Sequence, residues 1–371
     1  KSRYKNSFKM NLSKKIICRL FGRAKPHDHT DLKNISSILI RPMGHLIGDT
    51  VAHIAYIRQL KTLYPHSRIG ILVTGRSRPI YECCTLADEL IDDTFSSCLH
   101  QHGKWQLYLD FYETYNSRHI VKTALLAPEI TIIFHKTPKS YYNTDTLRNY
   151  SFHCPPQNGT HITSQLQTSV FADYFTIPQP DISLEYKKIT EKGQHYWQHG
   201  KLRILLAPQG SIIVRKIPPQ EMAILLNNLR PHYAEKCQFL LSNTQGSTGY
   251  LAELHLLCPN LDITLAPLTD LRQYLSLTAA ADLVIAVDSG SVHLACAFKR
   301  PLLCFFANNT ANIAKWHPLA AEGIPIKVII SATKNPNETN NFPITEAADW
   351  LNREVAALLR AKQGDADVRE Q

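Results

Sequence analysis

The chain has 371 residues, 44% hydrophobic and 19% charged, with a formal net charge of +10. That length exceeds one ordinary core and predicts two domains; no apolar run approaches the ~18–20 residues of a spanning helix, so none is expected. Residues 1–35 hold ten Lys/Arg against two Asp, which leaves the rest of the chain nearly neutral and without the basic stripe on a folded domain that a nucleic-acid partner requires.

The nine cysteines are an odd count, with Cys83 and Cys84 adjacent and no C-x-x-C pair. Reduced thiols in a cytoplasmic protein are expected, rather than a zinc site or a disulfide framework. The basic extension 1–35 contains "MNLSKKIICRLFGRAK", residues 10–25. Its apolar stretch 16–21 is short and broken by Arg19, unlike a secretory signal. Ile16, Ile17, Leu20 and Phe21 could share a helix face ringed by Lys14, Lys15, Arg19 and Arg23. Two readings stand open: a helix lying on an anionic membrane surface, or a solvated arm.

Residues 36–42 read as a buried strand, followed by "MGHLIGDT" and, from Asp49, a helix with Val51, Ile54, Ile57 and Leu60 on its apolar face. Strands follow at 66–74 and 129–135, with further apolar segments at 86–95 and 104–112. This alternation predicts a doubly wound parallel sheet over 36–182. "HCPPQNGTH" (153–161) reads as loop, and 183–200 as the linker between domains. The pattern restarts over 201–343. There is a strand at 202–210 and a proline-led helix at 218–230, then a strand at 237–243 and a helix at 271–281 with Asp270 as its cap. A strand at 282–287, a short helix at 291–299 and a strand at 301–306 complete the domain. A terminal helix is predicted at 344–362, with Thr345 as cap and residues 363–371 as a disordered tail.

The sharpest local signal is "LVIAVDSGSVHLACAFKRPLLCFF", 283–306. A buried strand runs into Asp288-Ser289-Gly290-Ser291 and a helix begins. Gly290 admits close backbone approach, and free N–H groups at a helix start suit a diphosphate. His293 lies in the first turn. An ordinary capped turn with a half-buried His is the alternative.

The segment Asp288-Ser289-Gly290-Ser291-Val292-His293-Leu294-Ala295-Cys296-Ala297 resembles the C-terminal signature of the bacterial heptosyltransferases, glycosyltransferase family nine. "MGHLIGDTVAHIAYIRQLKTLYP" (43–65) looks like that family's opening. "APQGSIIVRKIPPQE" (207–221) resembles its lysine-before-proline segment. The resemblance covers about 36–330 and implies the GT-B fold, an α/β architecture of two Rossmann-like domains facing a central cleft. It implies an inverting glycosyltransferase with no obligatory metal cofactor. The donor, a nucleotide-diphospho-sugar such as ADP-heptose, would bind the C-terminal domain. A lipid A-Kdo inner-core acceptor would bind the N-terminal domain at the cytoplasmic face of the inner membrane. A same-fold enzyme with a different nucleotide sugar or surface-polysaccharide acceptor is the alternative.

By that resemblance Gly44 and Gly48 clear a cleft loop, and Asp49 is the general base that takes the proton of an attacking sugar hydroxyl. By local preference alone Asp49 is a helix N-cap. Lys216, Ser211, Ser289 and Gly290 would hold the diphosphate as charge develops on it, with Asp288 and His293 at the donor. Arg76, Arg118 and Lys136 supply cations for an acidic acceptor sugar. The D-x-D pattern at Asp365–Asp367 lies in the tail, away from the cleft. Two segments depart from the family pattern. Tyr250 and Glu253 follow the glycine where a ribose-binding carboxylate is common, and Ala307-Asn308-Asn309-Thr310 replaces a G-P-T.

Overall fold

The computed structural model describes residues 12–23, 31–210, 212 and 214–369. The chain divides into two compact units. The first runs up to His45 and from Ala55 to Pro180; the second takes Leu46–Ile54 and everything from Asp181 onward. The opening turns of the Ile47–Leu63 helix therefore belong to the second unit, although the sequence places them in the first domain.

The first unit holds a six-stranded parallel sheet of β1 (Ser37–Arg41), β2 (Arg68–Val73), β3 (Glu89–Asp92), β4 (Leu107–Asp110), β5 (Ile130–Phe134) and β6 (Phe152–Cys154). Their spatial order is β3-β2-β1-β4-β5-β6, every pair parallel. The central strands are short, mostly apolar runs because both faces are covered. Ile38, Leu39, Ile40, Leu107 and Leu109 are fully buried, each worth about 1.5–3 kcal/mol relative to exposure. Tyr56, Phe111 and Phe134 stack in series, with centroids 4.6 and 4.2 Å apart. Gly70 interrupts β2 for a steric reason: a Cβ there would lie 2.5 Å from the Trp105 ring.

The second unit repeats the plan with β7 (Leu202–Ala207), β8 (Cys237–Leu241), β9 (Ile263–Leu265), β10 (Leu283–Val287), β11 (Leu302–Phe306) and β12 (Ile326–Ile330), in the order β12-β11-β10-β7-β8-β9. Both sheets thus reverse winding direction beside their first strand, the arrangement that leaves a crevice at the carboxyl ends of the strands. The Pro219–Asn227 and Ser247–Leu257 helices and the terminal helix close one core over this sheet. Leu226, Leu254 and Leu351 join Ile204 and Leu206 of β7 and Phe239 and Leu241 of β8 in it.

Several boundaries differ from the sequence reading. The terminal helix spans Ile344–Arg369, so it continues through most of the segment read as a disordered tail; Thr345 sits inside its first turn rather than capping it. The 183–200 stretch carries a helix, Lys187–Gly193. His153 and Cys154, at the head of the 153–161 loop, belong to β6. Asp270 does cap the Leu271–Ala279 helix, in a full capping box with Gln273. All nine cysteines are unbridged.

Residues Leu12–Phe21 form a helix, so the extension is ordered there, while residues 1–11 and 24–30 lie outside the described residues. Its apolar residues do not share one environment. Ile17, Cys18 and Phe21 pack on Tyr115, Ile120, Tyr142 and Leu147, whereas Ile16 and Leu20 are exposed.

Candidate active site

The segments that leave β7, β8, β9, β10 and β11 line one cavity of about 880 Å³ in the second unit, together with Leu46, Ile47, Gly48 and Asp49. Helices begin just beyond four of these strand ends, at Ser247, Leu271, Gly290 and Thr310. The positive end of a helix makes such a rim favourable for anions, although Asp270 and Asn309 already cap two of the four starts.

After β7 the chain makes a tight hairpin. Gly210 N–H donates to Arg215 O at 2.8 Å and Ile217 N–H to Pro208 O at 2.9 Å. A Cβ on Gly210 would crowd Arg215 Cβ at 3.1 Å and Asp288 O at 3.3 Å, so a glycine lets the β7 and β10 loops meet. The hairpin presents Arg215 and Lys216 to the cavity. Thr339 fixes the backbone of Lys216, its hydroxyl accepting from the Lys216 N–H at 2.9 Å. Beneath lies the buried Tyr250, whose hydroxyl donates to Ile217 O at 2.9 Å and whose ring is 5.1 Å from Lys216 Nζ. Tyr250 therefore supports the hairpin and does not line the cavity. Glu253 is turned away, accepting from Gln220.

After β10 comes Asp288, which is buried. Its Oδ2 accepts from Asn312 Nδ2 at 2.8 Å and faces Arg215 Nη1 at 3.3 Å. Burial pushes its carboxyl above the ordinary value, and Arg215 and Asn312 offset that only in part. Asn312 is in place because Asn309 caps the Thr310–Trp316 helix, accepting from the Asn312 N–H at 3.0 Å. The Ala307–Thr310 departure thus supplies a helix cap and, through it, the partner of Asp288.

Ser289 occupies the N-cap position of the Gly290–Ala297 helix but makes no capping bond, and its buried hydroxyl oxygen has no hydrogen-bond partner. Ser291 is paired instead with Tyr274, oxygen to oxygen 2.7 Å. Gly290 is needed for packing: a Cβ there would fall 2.6 Å from Ile47 Cβ. Gly48 is similarly close to His293, with Cδ2 3.2 Å from a virtual Cβ. The buried His293 ring lies 5.5 Å from that of Trp316. Asp49 is the third residue of its helix, inside the first turn, so it is not the N-cap.

Of the residues singled out from the sequence, Asp49, Lys216, Asp288, Ser289, Gly290, His293 and Gly48 line this cavity, and Gly44 does not. Ser211 lies outside the described residues. Arg76 and Arg118 are exposed in the first unit. Lys136 is not a surface cation: it is buried, with Nζ 2.9 Å from Asp110 Oδ2 and also bonded to Tyr112 O, so its charge is already neutralised inside the fold. Arg215, Asn312, Tyr274 and Trp316 are site residues that the sequence reading does not single out. Arg215 stands beside Lys216 in the quoted segment, which is the only sequence signal for it. Among the described residues no cluster of three or more His, Cys, Asp or Glu could hold a metal ion.

Comparison with known proteins identifies the family and the fold. Residues 114–344 match the model of glycosyltransferase family 9 (heptosyltransferase). A protein of Escherichia coli strain K12, provisionally named lipopolysaccharide heptosyltransferase 4, is 21% identical over 315 residues, 82% of this chain and 83% of the relative. The solved structure of the E. coli ADP-heptose lps heptosyltransferase II superposes with a TM-score of 0.68 at 15% identity, covering 89% of this chain and all of that one. E. coli heptosyltransferase WaaC with ADP gives a TM-score of 0.64 at 13% identity, covering 86% of this chain and 99% of that one. With two doubly wound units of the GT-B class and a family match over more than half its length, the chain belongs to glycosyltransferase family 9, the heptosyltransferases.

Proposed function

We propose that this glycosyltransferase moves a heptose from ADP-heptose onto a lipopolysaccharide inner-core sugar, inverting the anomeric centre without an obligatory metal, at the cytoplasmic side of the inner membrane. The observation that carries the reading is one cavity lined by a carboxylate, Asp49, by two cations, Arg215 and Lys216, and by a buried carboxylate, Asp288. The names of the E. coli relatives, which include ADP-heptose and ADP, favour this donor.

The acceptor hydroxyl is a weak nucleophile. Asp49 takes its proton as the oxygen attacks the anomeric carbon. The bond from that carbon to the diphosphate oxygen breaks on the opposite face, so the configuration inverts. Negative charge grows on the departing diphosphate, where Arg215, Lys216 and the N–H groups at Ser289 and Gly290 stabilise it. Arg215 Nη1 lies 3.3 Å from Asp288 Oδ2, a long contact for an ion pair. When a diphosphate takes the guanidinium, Asp288 is released to accept hydrogen bonds from hydroxyls of the donor sugar.

The test is Asp49→Asn. Transfer from ADP-heptose should fall by about 10²-fold or more, while the rise in melting temperature produced by ADP should match wild type. Transfer at the wild-type rate would remove Asp49 from the chemistry. ADP, UDP, GDP and CMP compared in the same thermal assay decide the donor. A selective response to a nucleotide other than ADP would favour the alternative donor reading.

A further inference from the structure

The Leu12–Phe21 helix has two sides with different fates. Lys14, Ile17, Cys18 and Phe21 form the docked side. Ile17, Cys18 and Phe21 pack on Tyr115, Ile120, Tyr142 and Leu147, and Lys14 Nζ sits 3.5 Å from the centre of the Tyr141 ring. The end of the helix is fixed as well: Arg148 N–H donates to Gly22 O at 2.9 Å, and a Cβ on Gly22 would meet Leu147 at 2.9 Å. With that side fixed, the opposite side is also fixed. It carries Leu12, Ile16 and Leu20, spaced four apart and therefore in one stripe, with exposures of 71%, 48% and 56%. Lys15, Arg19 and Arg23 are exposed alongside.

We propose that this outward side docks on an anionic phospholipid bilayer surface. The charge pattern selects that partner. No Asp or Glu occurs before Asp28, so the whole extension up to that point is cationic. The apolar stripe is narrow enough for shallow insertion, and a basic flank beside it matches lipid phosphates. No helix among the described residues is long and apolar enough to cross a membrane, so the contact is with the surface. The proposal rests on the heptosyl-transfer reading only for its purpose, which is to hold the enzyme beside a lipid-anchored acceptor; the binding itself is independent of that reading.

The experiment is co-sedimentation of the full chain with equimolar phosphatidylglycerol–phosphatidylethanolamine vesicles and with phosphatidylcholine vesicles. Wild type should bind the first, weaken as salt is raised, and bind the second poorly. Lys15→Gln/Arg19→Gln/Arg23→Gln should weaken binding on the order of a hundredfold, at roughly fivefold per cation. Leu12→Ser/Ile16→Ser/Leu20→Ser should also release the protein, and neither triple variant should shift the melting temperature, since all six side chains are exposed. Wild type that ignores anionic vesicles, or triple variants that bind as wild type does, would overturn the proposal. So would a wild-type dimer that the leucine-stripe variant converts to monomer without any change in vesicle binding. The ADP thermal shift, measured in the same preparations, reports on the donor reading separately: its loss with vesicle binding intact condemns the function, and the reverse condemns the docking face.

Discussion

Asp288→Asn separates a carboxylate kept for a ligand from one kept for the fold. The substitution preserves size, and the Asn312 amide, now 2.8 Å from Oδ2, can donate equally to an amide oxygen. What disappears is the ion pair to Arg215 at 3.3 Å, whose guanidinium side chain is 36% exposed; a pair that open to water contributes ~0–1 kcal/mol. What is relieved is the cost of a buried charge. The folded carboxyl is held above its unfolded value by burial, so its favourable contribution is complete only below the unfolded value, near pH 4, and is lost as pH rises through the folded one. At pH 7 the variant should therefore match or exceed wild type in urea denaturation, within about 1 kcal/mol, and wild type should gain on it as the pH is lowered from neutral toward about 4. Transfer should behave oppositely. Losing a charged acceptor of sugar hydroxyls costs ~1.5–3 kcal/mol per bond, which is roughly 10- to 150-fold in kcat/KM. A variant that lost more than about 2 kcal/mol of stability while keeping kcat/KM would show that Asp288 is a structural anchor and refute the reasoning.

Two further substitutions probe packing and charge. Gly290→Ala places a methyl 2.6 Å from Ile47 Cβ and should cost ~1–3 kcal/mol as an overpacked contact; in a double-mutant cycle with Ile47→Gly part of that loss should be recovered, and strictly additive losses would place the strain elsewhere. Lys136→Met leaves the Asp110 carboxylate buried without its cation and should cost ~3–5 kcal/mol at neutral pH. Burial raises the Asp110 pKa, but Lys136 and Arg41 outweigh it and hold it low. Its stabilising contribution is thus present above about pH 4 and fades as acid protonates it, so the penalty of Lys136→Met should shrink in acid. An unchanged urea midpoint at pH 7 would contradict the ion pair.

The interior of both sheets is readable in the sequence and their margins are obscure. β10 and β11 are unbroken apolar runs, β1, β5 and β7 are apolar runs with one or two polar positions each, and all five stand where their runs predict. β6, β9 and β12 escape the sequence reading, and all three are edge strands. Two have only three residues, too few to announce a strand, and β12, with Lys327 inside it and Ile330 42% exposed, is only partly buried. The candidate site shows the same division. Asp288, Ser289, Gly290 and His293 are close enough in the chain to form a motif, whereas Asn312 reaches Asp288 only because a cap at Asn309 turns its helix there. Gly290 stands out by its residue type, and a Cβ there would strike Ile47: backbone closeness can be read from a glycine, but not which side chain comes close. Lys136 misleads for a related reason, since a cation in a loop looks solvated until Asp110, 26 positions earlier, is seen beside it.

The two units use one strand order in opposite ways, and that contrast bears on where substrates can go. At the carboxyl ends of β1 and β4 the first unit is filled by its own charges. Arg41 Nη1 donates to both Asp93 oxygens at 3.1 and 3.0 Å, Lys122 reaches Asp93 at 3.0 Å, and Lys136 takes Asp110. Burial raises the Asp93 pKa, but Arg41 and Lys122 outweigh it and hold it low, while burial and the Arg41 charge push His119 down to about 3. Charges that neutralise one another out of water have little to offer a ligand, and breaking one pair strands the other member. At the matching ends of β7 and β10 the second unit leaves an open cavity, an unpartnered Ser289 hydroxyl and one long ion pair. A crevice already filled by its own ion pairs has little to offer a diphosphate, which supports the proposal that the donor binds the second unit. On that reading, acceptor contacts by the first unit are expected from exposed cations such as Arg76, in a turn, and Arg118, at the start of the Ser117–Leu126 helix, rather than from the buried Lys136.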